Sequence, residues 1–439
     1  MRNKEEKTML EVMEPDYMAE FSCDGLTCPD TCCSGWDIVI DEKTCERYKK
    51  SHNGAFKDML SSAIVHRKEE VDGEARDVAC IRMGKGNRCL FLCNDGLCMI
   101  QRKTEEKNLS ETCRTYPRVI YLWNESYVRR ALCVSCPTTA NLILNRKDSI
   151  HFIKRKIEST EIAGLRLTAQ GEHLTSECFA FRDFLIRILQ NRKVDLTERL
   201  QIANDFFWQA GNLSGHHIEK KFRQICAVFE NRIDEAQTHV NLQLVQKNMR
   251  QVARKRLKVV QLLFLQRLQN PELRQSFRYQ LESVLKHWEI DANQSISSKS
   301  IAKYIEEREL YHVFFLEEHD EMLENYLVNG VFKNVFLTSD GTPFYLEWFK
   351  ILVQFITARA LLMVALAEKA APLSTAEAIE IIRQTSRSVG HDTLYMQQAE
   401  HKIWTDGDEE TAIHDFCDTM LCYDRKEKVE ESMQTFSCN

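Results

Sequence analysis

Twelve of the seventeen cysteines in this 439-residue chain fall between Cys23 and Cys136, ten of them in four clumps separated by tens of residues. The clumps read FSCDGLTCPDTCCSGW, RCLFLCNDGLCMIQ, LSETCRTYPR and ALCVSCP. If they meet, the intervening chain must fold back on itself, so the thiols constrain the whole first third of the molecule. The start of the chain, MRNKEEKTMLEVMEPDY, is charged throughout and has none of the apolar run of a secretory signal. A cytoplasmic location is expected, where thiols stay reduced. With an odd total as well, disulfides explain these cysteines less well than metal ligation.

Glycine and proline divide the chain near residue 140. Residues 1–140 hold seven of the fifteen glycines and four of the seven prolines, with β-like runs WDIVI at 36–40 and RVIYLW at 118–123. Gly25, Gly35, Gly84, Gly86 and Gly96 read as turns. This is the pattern of a small, loop-rich, cysteine-rich metal-binding domain whose thin core metal–thiolate bonds supplement. Residues 141–439 read as a large α-helical domain, giving a mainly α fold. Apolar residues recur there at helical spacing, as in Leu257, Val260, Leu263, Phe264 and Leu268. Similar stripes run through 179–189, 301–315, 344–367 and 376–382. The polar stretch DANQSISSKS at 291–300 predicts a loop, with Ser297 or Ser298 capping the next helix.

Composition narrows the function classes. A net charge of −6 argues against a broad nucleic-acid-binding surface. The basic run RQVARKRLK at 250–258 reads as the solvated face of a helix. The apolar stretch 351–367 is broken by Gln354, Thr357 and Arg359, so it reads as a buried core helix and not a membrane span. Peripheral membrane association stays open. Among catalytic signatures, Gly84-Lys85-Gly86 is an isolated pair without the rest of a dinucleotide fingerprint, and there is no Walker sequence, G-x-S-x-G or H-E-x-x-H. His216-His217 lack metal-ligand spacing.

The thiol spacing carries the chemistry. Cys28, Cys32 and Cys33 form C-x3-C-C, with Cys23 upstream. Cys89, Cys93 and Cys98 fall within ten residues around the turn Asp95-Gly96. Cys113 lies in TCRTYPR, and Cys133 and Cys136 make the lone C-x2-C pair. Zinc sites usually show two such knuckles and use four ligands. This many irregularly spaced thiols, ending in Cys136-Pro137, favour an iron–sulfur cluster, with zinc the alternative. Cys45, Cys80, Cys93 and Cys133 are the ones most readily explained as small packed hydrophobes. Arg114 and Arg118 beside Cys113 could neutralise a charged cluster or clamp a carboxylate, and Tyr116 could hydrogen-bond a substrate amine.

Taken in order, the strings CPDTCCSGWDIVID, CLFLCNDGLCMIQ, LSETCRTYPR and SCP resemble the flagellin lysine-N-methylases, part of a wider group of zinc- or iron-chelating domains. The resemblance covers roughly residues 15–145 strongly, and the helical remainder also fits. It implies an S-adenosylmethionine-dependent, bacterial, cytoplasmic protein-lysine N-methyltransferase acting on surface lysines of flagellin, with a 4Fe-4S cluster as the expected metal centre. Its motif cysteines correspond to Cys23, Cys28, Cys32, Cys33, Cys89, Cys98, Cys113 and Cys136. Thr138 stands after SCP where the resemblance leads one to expect an acid. The helical part would dock flagellin. Two other classes compete: a non-catalytic adaptor with a structural zinc module, and a metal carrier or redox sensor.

Overall fold

A computed structural model describes residues 8–35, 38–50, 54–71, 74–104, 108–123, 126–162, 169–171, 176–211, 218–238, 249–334, 344–404 and 408–421. His216-His217 and Trp36-Asp37 of WDIVI lie outside them. The fold is mainly helical, as the periodicity predicts, with its short strands in the N-terminal part.

The strands form a five-stranded sheet in the order 169–171, 118–123, 127–132, 9–15, 152–158. Arg118–Trp123 and Tyr127–Leu132 make an antiparallel hairpin. Met9–Pro15 then runs parallel to Tyr127–Leu132 and antiparallel to Phe152–Glu158. The predicted run RVIYLW is thus a strand over its whole length. Two of the five strands come from beyond residue 140, so the sheet draws on both sides of that point. Alternation sorts its faces. Leu10, Val12, Ile120, Val128 and Ile157 fill a small apolar layer on one side, and Met13 and Ala131 join the helical core on the other.

A second unit packs Ile38–Val39, Ile64–Val71 and Glu74–Ile81 as a three-stranded sheet beside the helix Glu42–Lys49. Asp41 starts that helix by accepting from the Thr44 amide at 2.8 Å, relieving one of the orphan N–H groups of its first turn. The core here includes Phe56, Leu60, Phe91 and Ile100, with half-buried Cys33, Cys98 and Cys113 packed against it.

The helices wrap Phe344–Lys369. Its stretch from Tyr345 is long and apolar enough to cross a membrane, but 83% of the most apolar window is buried in the protein. Leu352, Val353 and Leu362 are wholly buried. Ser297 caps the helix Ser298–Tyr311 by accepting from the Ser300 amide at 3.0 Å, one of the two serines expected there. Charge is buried too. Glu324, with no exposed surface, accepts from Arg199 at 2.6 Å and Arg192 at 2.9 Å. Arg199 also binds Asp320 at 2.9 Å.

Candidate functional site

Backbone pairing sets the first two clumps against one another, and side-chain hydrogen bonds bring in the third. The Cys89 amide donates to the Cys33 carbonyl at 2.8 Å, and the Gly35 amide donates to Asn87 at 2.8 Å. Gly96, at φ +87°, turns the next segment so that Met99 donates to the Phe91 carbonyl at 2.7 Å, which returns Cys98 towards Cys89. Cys113 sits in the helix Glu111–Thr115, where Ser110 accepts from the Cys113 amide at 3.2 Å. Thr112 Oγ1 fastens that helix to the Val39 carbonyl at 2.8 Å.

The result is one neighbourhood of Cys32, Cys33, Cys89, Cys98 and Cys113. The Cys32 and Cys33 sulfurs are 4.0 Å apart, and this contact pushes the Cys32 thiol up. Burial pushes Cys89 up to about 11 and Cys113 up to about 12, and the thiols of Cys98 and Cys32 add to both shifts. Cys98 is raised by burial and by Cys32 and Cys93. Crowded acids suppress one another's ionisation, an effect that a bound cation reverses.

Cys23, Cys28 and Cys136 form a separate group. Burial raises Cys28, and Cys136 and Cys23 raise it further. Thr138 Oγ1 donates to Asp24 at 2.8 Å, joining the first clump to the last. Pro137 opens the helix Pro137–Leu144 with Cys136 as its N-cap. The eight thiols picked from sequence therefore divide five and three. No three His, Cys, Asp or Glu side chains among the described residues stand as a metal-holding group. The donor set is nonetheless chemically suited to a thiophilic centre such as iron–sulfur or zinc. Of the four thiols set apart as packing residues, Cys45, Cys80 and Cys133 are buried and Cys93 is half-buried.

The helical part grips the first clump through Asp30. Its carboxylate meets Arg274 at 2.9 Å, Arg383 at 3.0 Å and Arg387 at 2.9 Å. Arg274 also donates to Ser34 Oγ at 2.6 Å, and Arg387 donates to the carbonyls of Thr31 at 2.5 Å and Ser34. Gly35 has φ +82°, and a Cβ there would lie 2.6 Å from Arg274 Nε. Only glycine suits both demands.

The three candidates around TYPR are placed differently. The Arg118 guanidinium lies over the Phe21 ring at 4.9 Å. Arg114 is half-buried, and its Nε has no hydrogen-bond partner. The Tyr116 hydroxyl lies 3.0 Å from Ser135 Oγ, which lies 2.7 Å from His391 Nε2. Ser135 is fully buried, and burial raises the Tyr116 phenol, keeping its proton in place. This Tyr–Ser–His chain can pass a proton from the Tyr116 end to the imidazole. Sequence reasoning found Tyr116 but missed Ser135, His391 and the arginines on Asp30. Ser135 lay inside the SCP string, whereas Arg274, Arg383, Arg387 and His391 lie in or beside helices with no motif to mark them.

Residues 182–413, more than half of the chain, match the family described as the FliB lysine N-methylase C-terminal domain. The chain is 32% identical over 171 residues to the flagellar biosynthetic protein FliU of Salmonella muenchen, covering 38% of this chain and 97% of that protein. It is 32% identical over 148 residues to the lysine-N-methylases of Salmonella choleraesuis and Salmonella typhimurium, covering 33% of this chain. These matches span 35% of each of those two relatives' own length. No solved structure matches. Arg274, Arg383, Arg387 and His391 all fall within the matched region, and on that match the chain belongs to the FliB lysine N-methylase family.

Proposed function

We propose that this protein is a cytoplasmic methyltransferase that moves a methyl group from S-adenosylmethionine to lysine ε-amino groups of flagellin. Family membership supports lysine methylation, and the flagellar name of the FliU relative fits a flagellar target. Within the site, the observation that carries the reading is the Tyr116–Ser135–His391 chain beside Cys136.

In the reaction an amine nitrogen–carbon bond forms, and the sulfonium carbon–sulfur bond breaks to leave the neutral thioether S-adenosylhomocysteine. The lysine must lose one proton, since an ammonium has no lone pair to attack with. Tyr116 Oη would accept that proton while giving its own to Ser135, and Ser135 would give its own to His391 Nε2. The relay lets a phenol held protonated by burial act as a base without becoming an anion. Cys32, Cys33, Cys89, Cys98 and Cys113 would hold an iron–sulfur cluster, with Cys23, Cys28 and Cys136 beside it. Bound there, it would cross-link the clumps and supply Lewis-acid or electron-transfer chemistry.

The test uses full-length, anaerobically purified protein with labelled S-adenosylmethionine and unmodified flagellin. Label is expected on flagellin lysines, with a rate at least tenfold lower for Tyr116→Phe and His391→Gln. No transfer by metal-loaded protein rejects the reading. Colourless protein with stoichiometric zinc and no iron rejects the iron–sulfur part alone.

A further inference from the structure

Arg129 is a charged side chain buried without a hydrogen-bonding anion. It lies in the strand Tyr127–Leu132 and is 3% exposed. Its Nε and Nη2 have no hydrogen-bond partner. Aromatic rings surround it, with Tyr121 at 5.3 Å, Trp123 at 5.1 Å and Phe332 at 5.4 Å. A second guanidinium, Arg182, 1% exposed, shares the Phe332 ring at 5.0 Å. Arg182 already holds Asp183 through Nε at 3.0 Å and Nη2 at 2.7 Å. Two cations and one carboxylate leave a positive charge over. Ring faces soften that charge but accept no N–H hydrogen bond of ordinary strength. Burial, and then Arg182, hold Arg129 down to about 9.

The surroundings connect this group to a cleft. The cleft, of about 480 Å³, has Met13, His151, Phe152 and Asp183 in its wall, while Arg129 itself lies behind that wall. Met13 is the register partner of Arg129 on the neighbouring strand. Phe152 stacks on Phe332 at 4.3 Å, so a ring of the cleft wall packs on one of the rings around Arg129. Asp183 belongs to both the cleft wall and the ion pair.

We infer that Arg129 is the anchor of a binding site for a small carboxylate ligand, distinct from the thiol groups and the Tyr116 chain. A carboxylate matches the two free, coplanar donors of a guanidinium and balances the surplus charge. Two sources share this chemistry: the amino-acid end of S-adenosylmethionine, whose relevance rests on the methyl-donor reading above, and a free amino acid acting as an effector.

Calorimetric titration of the full, metal-loaded chain separates them, with S-adenosylhomocysteine, its decarboxylated analogue, methionine and glutamate as probes. Tight binding of S-adenosylhomocysteine alone, weakened about 30-fold in its decarboxylated analogue, marks a donor site. Binding of methionine or glutamate marks an effector site. In either case Arg129→Met is expected to lose the binding by about 30-fold while its thermal midpoint stays level or rises, because an unbalanced buried charge has gone. Arg129→Lys is expected to retain only part of the affinity. Equal affinity in wild type and Arg129→Met overturns the inference and leaves the methylase reading intact. So does binding of no carboxylate probe by protein that still transfers methyl groups. Failure of both binding and transfer rejects the two together.

Discussion

Replacing Asp30 with alanine should release the first cysteine clump from the helical part. The carboxylate is 18% exposed and meets three guanidiniums, of which Arg383 and Arg387 are each 3% exposed. Removing one partner of a buried ion pair costs about 3–5 kcal/mol, because the other charge is stranded. Here the arginines keep other partners: Arg383 holds Glu380 at 2.7 Å, Arg387 holds the carbonyls of Thr31 and Ser34, and Arg274 holds Ser34 Oγ. The lower end, about 3 kcal/mol, is therefore expected, or about a hundredfold in an equilibrium constant. The clamp is local, so the loss should show first as loop opening. Alkylation of half-buried Cys33 by iodoacetamide, read by mass spectrometry on the metal-free protein with exposed Cys32 as internal control, should accelerate about a hundredfold. The urea midpoint should fall as well. Wild-type alkylation rates together with an unchanged midpoint would refute the claim that Asp30 ties the two parts of the chain together.

Other perturbations follow from the same geometry. Gly35→Ala combines a left-handed φ with a clash on Arg274 Nε, so a loss of about 2 kcal/mol or more in urea unfolding is expected; a change under 0.5 kcal/mol would contradict the geometry. Burial and the neighbouring Glu409 raise the Glu400 carboxyl to about 7. A raised carboxyl favours the folded state below its unfolded value near 4.3, and that support is lost as pH rises through about 7. Glu400→Gln should therefore melt higher than wild type at pH 8 and no higher at pH 4; the same difference at both pH values would refute the assignment. Cys113→Ser should lower bound metal in anaerobically purified protein, whereas buried Cys417→Ser should not. Equal metal content in the two would exclude Cys113 as a ligand. Cys422, the other natural control, lies outside the described residues.

Local rules made much of the helical part legible. The stripe around Leu257–Leu268 and the long run at 344–367 are helices, because one apolar face per turn can be buried in only one way. Ser297 caps its helix for the equally local reason that a serine oxygen reaches the third amide. RVIYLW became a strand because β-branched and aromatic residues fit a pleated surface. Strand pairing was not legible. Nothing near Met9 announces that it will lie between 127–132 and 152–158, since pairing depends on which distant edge the fold leaves free.

Read along the chain, the residues already say that it is mainly helical, that thiols crowd its first third and, through the strings around them, which family it resembles. It took the folded chain to divide the thiols five and three, and to set Asp30 among three arginines more than 240 residues away in sequence. The same holds for the meeting of Tyr116 with Ser135 and His391, and for the burial of Arg129 among rings. Periodicity and capping act over a few residues and can be read along a chain. Charge pairing acts through space, and an arginine reads the same in sequence whether it faces water or a carboxylate.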